Sequence, residues 1–171
     1  MGCGKSSVGR GLSQLLCCRF MDLDEEIVIR AGKSIPEIFA EDGQAAFRTM
    51  ERDILADLLA SVAPGQRAVI ALGGGTVMTP ECAKIAKEKT LCVYLRATVD
   101  TLIQHLEGQA DSRPLLASEQ TQSKSEALRS RIVSLMEQRS ETYLQTAHLI
   151  IDTDGKKVRE IAEEIAEKSI D

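Results

Sequence analysis

The stretch Gly2-Cys3-Gly4-Lys5-Ser6-Ser7 decides how the rest of the chain is read. A phosphate-binding loop has the pattern G-x-x-x-x-G-K-[ST] and lies between a strand and a helix. Gly4, Lys5 and Ser6 supply its G-K-S end. Glycines there let backbone N–H groups point inward at phosphate oxygens, and the following helix adds its positive end. A lysine at this place reaches the β- and γ-phosphates, and the hydroxyl after it ligates Mg²⁺. The opening glycine of the pattern would fall before Met1, and its feeding strand earlier still. About ten residues are therefore expected upstream, with Met1 an internal methionine of the loop. Read alone, the same residues are also a glycine-rich tail. Met1 to Ser6 further fit the myristoylation pattern M-G-x-x-x-[ST], with Cys3 open to palmitoylation. The helical pattern that follows at once weighs against a flexible, lipidated end.

Working outward, Val8, Leu12, Leu15 and Leu16 recur at helical spacing, so a helix runs from the loop to about Cys17. Residues 19–23 read as a strand ending in two carboxylates, Asp22 and Asp24. Ile27 to Ala31 look helical and stop at Gly32. Ser34 and Glu37 have capping-box spacing with an early Pro36, which predicts a short helix over about 36–40. A longer helix follows over about 43–61, broken by Pro64-Gly65. Residues 68–72 are a continuous apolar run, the mark of a strand covered on both faces, and Gly73-Gly74-Gly75 ends it. A helix near 80–88 leads to a strand over 91–95. Another spans about 99–106. Residues 108–124 are polar and read as a mobile loop. Helix returns over about 125–142, a last strand covers 148–152, and an amphipathic helix closes the chain over about 156–168. Strands alternating with helices predict one α/β domain over residues 1–171, with a parallel sheet and helices on both faces.

Composition narrows the partners. Net charge is −5, with 3% aromatic residues, so the chain lacks the basic, aromatic-bearing surface of a nucleic-acid binder. No apolar run approaches the ~18 residues of a membrane span, and no signal peptide is visible. The five cysteines show no C-x-x-C spacing and read as free thiols in a reducing cytoplasm.

Four further groups can carry chemistry. Asp22 and Asp24, two apart on a strand, would share a face at its carboxyl end, where open α/β sheets bind ligands. They can serve a metal and a hydroxyl, or form a solvated strand terminus before an acidic helix start. Gly73, Gly74 and Gly75 admit a ligand against bare backbone, or make a tight turn. Arg113, in Arg113-Pro114-Leu115-Leu116, suits a lid that reaches transferring phosphoryl oxygens, or is a solvated arginine. Arg48 and Arg139 offer planar forks that match a carboxylate, or serve structural ion pairs.

In order, these segments resemble the shikimate kinase family. The resemblance rests on residues 2–9, on Phe20 to Asp24, on Ile38-Phe39-Ala40-Glu41-Asp42-Gly43 with Phe47-Arg48 and Glu51, and on Leu72 to Gly75. Arg113 to Leu116 and Arg139 with Tyr143 complete it. It implies a three-layer P-loop kinase fold with a parallel sheet in the order 2-3-1-4-5. The first strand is absent from this chain, which would open a gap between the strand before the glycines and the Tyr94 strand. The implied reaction is ATP-dependent phosphorylation of the 3-hydroxyl of shikimate, on the route to chorismate and the aromatic amino acids. By matching position, Lys5, Asp24 and Arg113 would be catalytic. Gly2, Cys3, Gly4, Lys5, Ser6, Ser7 and Arg113 would bind ATP. Asp24, Arg48, Gly73, Gly74, Gly75 and Arg139 would bind shikimate, and Ser6 and Asp22 would hold Mg²⁺. A substrate-binding segment over about 24–52 and a lid over about 108–124 are implied, in a cytoplasmic monomer without nucleic-acid or membrane partners. The family's further basic lid residue has no counterpart here beyond His105. A gluconate-type kinase sharing the P-loop, and a non-catalytic or truncated relative, are the competing readings.

Overall fold

The computed structural model describes residues 3–110 and 120–169, leaving aside the side chains of 107–125. Helix α1 (Lys5–Leu15) starts at Gly4, whose left-handed φ of 72° suits glycine. Strand β1 (Arg19–Asp22) leads into α2 (Leu23–Ala31), which Gly32 stops with a φ of 64°. Helix α3 (Ile35–Glu41) begins at the expected capping box, in which Ser34 and Glu37 exchange side-chain and backbone bonds. Then come α4 (Gly43–Ala60), β2 (Ala68–Ala71), a 3-10 turn over Thr76–Met78, and α5 (Pro80–Lys89). The last part holds β3 (Val93–Arg96), α6 (Val99–Ala110), α7 (Gln120–Thr146), β4 (Leu149–Asp152) and α8 (Val158–Lys168).

Among the described residues the strands form two parallel pairs, β1 with β2 and β3 with β4. Asp22 lies opposite Ala71, and Arg96 opposite Asp152. No ladder joins β2 to β3, so the sheet is open there, as the expected strand order requires. The opening is a mostly apolar cleft, with Leu72, Val93, Tyr94 and Leu95 among its walls. One departure concerns β2. The run in β2 was expected to be covered on both faces, yet Ala68, Val69 and Ile70 are only half-buried.

Strand alternation sorts the core. Met21 and Ile70 turn toward α2, α3 and α4, joining Leu23, Ile27, Ile38, Phe47 and Leu55. Leu23, Ile27 and Ile38 are fully buried, each contributing ~1.5–3 kcal/mol by the usual measure of apolar burial. Val69 turns the other way, onto Val8 and Leu12 of α1, with Ile161 and Ile165 of α8 in the same cluster. Phe20 faces α1 so closely that a Cβ on Gly9 would come within 2.6 Å of its ring. Helices therefore cover both faces, as expected.

Two local expectations are corrected. Asp24 is not a strand residue. Strand β1 ends at Asp22, whose carboxylate caps α2, and Asp24 sits in that helix's first turn. Leu23 and Ile27, at helical spacing, are both buried, and that burial carries the helix back beyond Ile27. The segment expected as a loop over 108–124 is helical at both ends, because α6 continues through Ala110 and α7 begins at Gln120, and the rest of that expectation lies outside the described residues.

Candidate active site

Because all the strands are parallel within their pairs, Asp22 and the residues after Ala71 emerge at the same end of the first pair. The site is built around the glycine turn that follows β2. On one side lies the start of α1. The Ser6 hydroxyl donates to Asp22 Oδ2 at 2.5 Å. Asp22 Oδ1 accepts the backbone N–H groups of Asp24 at 3.1 Å and Glu25 at 3.5 Å. One buried carboxylate thus caps α2 and faces the phosphate-loop segment. Lys5 Nζ lies 3.8 Å from Cys3 Sγ.

Asp24 projects from the first turn of α2 toward Gly73. A Cβ on Gly73 would come within 2.8 Å of Asp24 Oδ1, so only glycine leaves this carboxylate its place. Burial pushes the Asp24 carboxyl above its ordinary value. Asp22 and Glu51 add to the shift, and Lys5 and Arg48 oppose it. The two acids and two bases named there are all close enough to bear on one carboxylate.

Arg48 and Glu51 share a face of α4, three residues apart, and pair at 2.6 Å. Glu51 is 1% exposed, and its second oxygen accepts the Thr76 hydroxyl at 2.6 Å. The Arg48 guanidinium lies against Gly75. A Cβ there would meet Nη2 at 2.6 Å. From the opposite side, α7 reaches the turn with Arg139, whose Nη1 donates to the Gly74 carbonyl at 3.1 Å. The Tyr143 hydroxyl, one helical turn on, donates to the same oxygen, and its ring packs on Tyr94 with centroids 5.2 Å apart.

The structure thus gathers Lys5, Ser6, Asp22, Asp24, Arg48, Gly73, Gly74, Gly75 and Arg139 into one region. Cys3 and Gly4 lead into it, and Ser7 lies exposed in the first turn of α1. Gly2 and Arg113 lie outside the described residues. Glu51 and Tyr143 carried no assigned role in the sequence reading, although their helical spacing from Arg48 and Arg139 was a usable signal. Thr76 gave none. The apolar cleft only borders this region, through Lys5, Gly73, Gly74 and Arg139. The polar chemistry lies at its rim.

Beyond β4, Thr153 returns to β3, donating from its N–H to the Arg96 carbonyl at 2.9 Å. Asp154 accepts from the Thr98 N–H at 3.0 Å, which ties this loop to the start of α6. Its hydrogen bonds, those from Thr101 and Thr98 first, hold the carboxyl below its ordinary value.

A shikimate kinase family model matches residues 1–169. The shikimate kinase of Thermus thermophilus is 39% identical over 168 residues, covering 98% of this chain and 85% of the relative. Solved structures agree. The shikimate kinase from Acinetobacter baumannii in complex with shikimate superimposes with a TM-score of 0.83 at 31% identity, over 99% of this chain and 88% of the other. That from Bacteroides thetaiotaomicron gives a TM-score of 0.83 at 25% identity, over 99% and 94%. On this evidence the chain belongs to the shikimate kinase family.

Proposed function

We propose that this chain transfers the γ-phosphoryl group of ATP to the 3-hydroxyl of shikimate. The observation that carries the reading is the convergence of Asp24, Arg48 and Arg139 on one glycine turn, with Lys5 near Asp24 and Ser6 bonded to Asp22. Phosphoryl transfer asks a protein mainly for in-line positioning and charge neutralisation.

Each residue has a stated task. Arg48 and Arg139 hold the substrate carboxylate between α4 and α7, with Gly73, Gly74 and Gly75 giving it room. Asp24 orients the ring hydroxyls and accepts the proton of the attacking one. Its raised pKa makes it a stronger base toward the hydroxyl proton. The hydroxyl oxygen bonds to the γ-phosphorus, the bond to the β-phosphate oxygen breaks, and ADP leaves. Cys3, Gly4, Ser6 and Ser7 line the phosphate loop with Gly2, and Lys5 neutralises the developing phosphate charge.

The oxygen donors at the loop fit Mg²⁺, which takes few protein ligands and keeps several waters. Ser6 and Asp22, already in contact, would hold it. When bound, it neutralises charge on the phosphate oxygens. Arg113, on a lid over about 108–124, closes on the phosphates, and closure keeps water from becoming the acceptor. The segment 24–52 carries the acceptor side of the site.

No helix among the described residues is long and apolar enough to cross a membrane. A cytoplasmic monomer acting on small molecules, without nucleic-acid or membrane partners, is part of the proposal; the net charge of −5 supports only the absence of a nucleic-acid surface. An ADP-release assay across shikimate, gluconate and nucleoside monophosphates tests the reading. Turnover with shikimate alone is the expected result. Turnover with gluconate in its place, or shikimate binding without turnover, would replace it.

A further inference from the structure

Thr76 follows the triple glycine directly and is fully buried. Its backbone N–H donates to the Gly73 carbonyl at 3.2 Å, which closes the turn. Its hydroxyl donates to Glu51 Oε1 at 2.6 Å, and Glu51 Oε2 holds Arg48 Nη1 at 2.6 Å. A three-residue relay therefore runs from the glycine turn to the guanidinium on α4. The space it crosses is the one that Gly73 leaves empty. A Cβ there would lie 2.8 Å from Asp24 Oδ1, 3.0 Å from Thr76 Oγ1 and 3.3 Å from Glu51 Oε1.

A carboxylate as buried as Glu51 needs a hydrogen-bond donor for each oxygen. Arg48 supplies one, and Thr76 supplies the other. Without the hydroxyl, Oε1 is left bare in a site that excludes water. Glu51 then turns toward another donor, which loosens the anchor of Arg48. Valine has the shape of threonine without the donor, whereas serine keeps the donor.

We propose that Thr76 is a positioning residue, which sets the Arg48 guanidinium for the substrate carboxylate by acting through Glu51. The proposal rests on the reading of Arg48 given above. Thr76 serves the acceptor and has no part in nucleotide binding.

The test compares wild type with Thr76→Val, Thr76→Ser, Glu51→Gln and Arg48→Ala in steady-state assays. In Thr76→Val the KM for shikimate rises about tenfold, the scale of a lost hydrogen bond to a charged group, while the KM for ATP stays within about twofold. Thr76→Ser restores the shikimate KM. A competitive analogue with a hydroxymethyl group in place of the carboxylate loses little affinity in Thr76→Val, because it never used Arg48. A merely structural defect would weaken ATP, shikimate and the analogue together, and that outcome overturns the proposal. Glu51→Gln keeps the shape and removes the charge facing Arg48, so it must give the same selective rise even if Thr76→Val fails to fold. An unchanged shikimate KM in Glu51→Gln also overturns the proposal. If Arg48→Ala raises the shikimate KM and Thr76→Val folds but does not, the proposal falls and the reading of Arg48 stands. If Arg48→Ala leaves that KM unchanged, both fall.

Discussion

The backbone N–H of Asp24 donates to the carboxylate of Asp22 at 3.1 Å, so the first acid of the D-x-D pair positions the second. The other Asp22 oxygen takes the Ser6 hydroxyl. One side chain therefore starts α2, aims Asp24 at the glycine turn and faces the phosphate loop. The two acids do not act side by side on a strand. One is the cap of the helix that carries the other.

This division separates two effects of changing Asp22. Asparagine caps helices about as well as aspartate, whereas replacing a cap by alanine costs about 0.5–2 kcal/mol. Asp22→Ala should lower Tm by several degrees, taking 2–4 °C per kcal/mol for a domain of this size. Asp22→Asn should leave Tm nearly unchanged yet lose activity, with partial recovery at higher Mg²⁺. Thermal melts and a Mg²⁺ titration of both variants check this.

Asp24→Asn should lower kcat by about 10²–10⁴, the range for losing a general base. The raised Asp24 pKa also has a sign for stability. For a group whose folded pKa lies above its unfolded value, stability is fully present below the unfolded pKa. It is lost as pH rises through the folded one. The ionised carboxylate thus costs stability at pH 7, and Asp24→Asn should melt higher than wild type there. The gap should narrow as pH is lowered through the raised pKa, toward the ordinary 3.8. The acid limb of kcat/KM for wild type should have its midpoint above 3.8 for the same reason. Melting curves and a pH–rate profile measure both.

Gly75→Ala should separate binding from stability. The added Cβ would meet the Arg48 guanidinium at 2.6 Å, the mobile end of a long side chain, and its three nearest neighbours all belong to that group. The guanidinium can tilt with Nη1 kept on Glu51, so the buried carboxylate keeps its partner and the fold loses little. The substrate clamp, however, is displaced. The expected result is a KM for shikimate raised about tenfold or more, the cost of disturbing a charge-assisted bond, with Tm within a few degrees of wild type.

The thiols should react very unequally. Cys82 is fully buried, and burial, with Glu51 and Glu81 adding, pushes its thiol up to about 11. Cys17 is exposed. Reactivity follows the thiolate fraction and access. Iodoacetamide at pH 8 should therefore label Cys17 and spare Cys82 until the protein unfolds, as read by peptide mass spectrometry.

Much of the site was legible because its signals are local. Gly4-Lys5-Ser6 must open a helix, and the capping box at Ser34 and Glu37 must start one. Glu51 stands one helical turn from Arg48, and Tyr143 one turn from Arg139. The apolar run of β2 reports hydrophobicity, not how completely neighbouring elements cover it, and Ala68, Val69 and Ile70 are only half-buried. Asp24 was placed on a strand because two carboxylates at i and i+2 fit both a strand end and a capped helix start. Only the burial of Leu23 and Ile27 selects between them.

By itself the sequence determined the chemistry: a phosphate loop, paired acids, a bare glycine turn and three arginines in an order that marks one family. Alternating apolar runs likewise determined an α/β chain with parallel strands. Tertiary structure alone decided which groups meet. Thr76 and Glu51 are 25 residues apart, and Tyr143 and Gly74 are 69 apart, yet each pair is hydrogen-bonded. Neither contact has a periodicity to read, because such bonds exist only when α4 and α7 are packed about the end of β2. The raised pKa of Asp24 has the same origin, since it depends on burial and on charges brought in from α4.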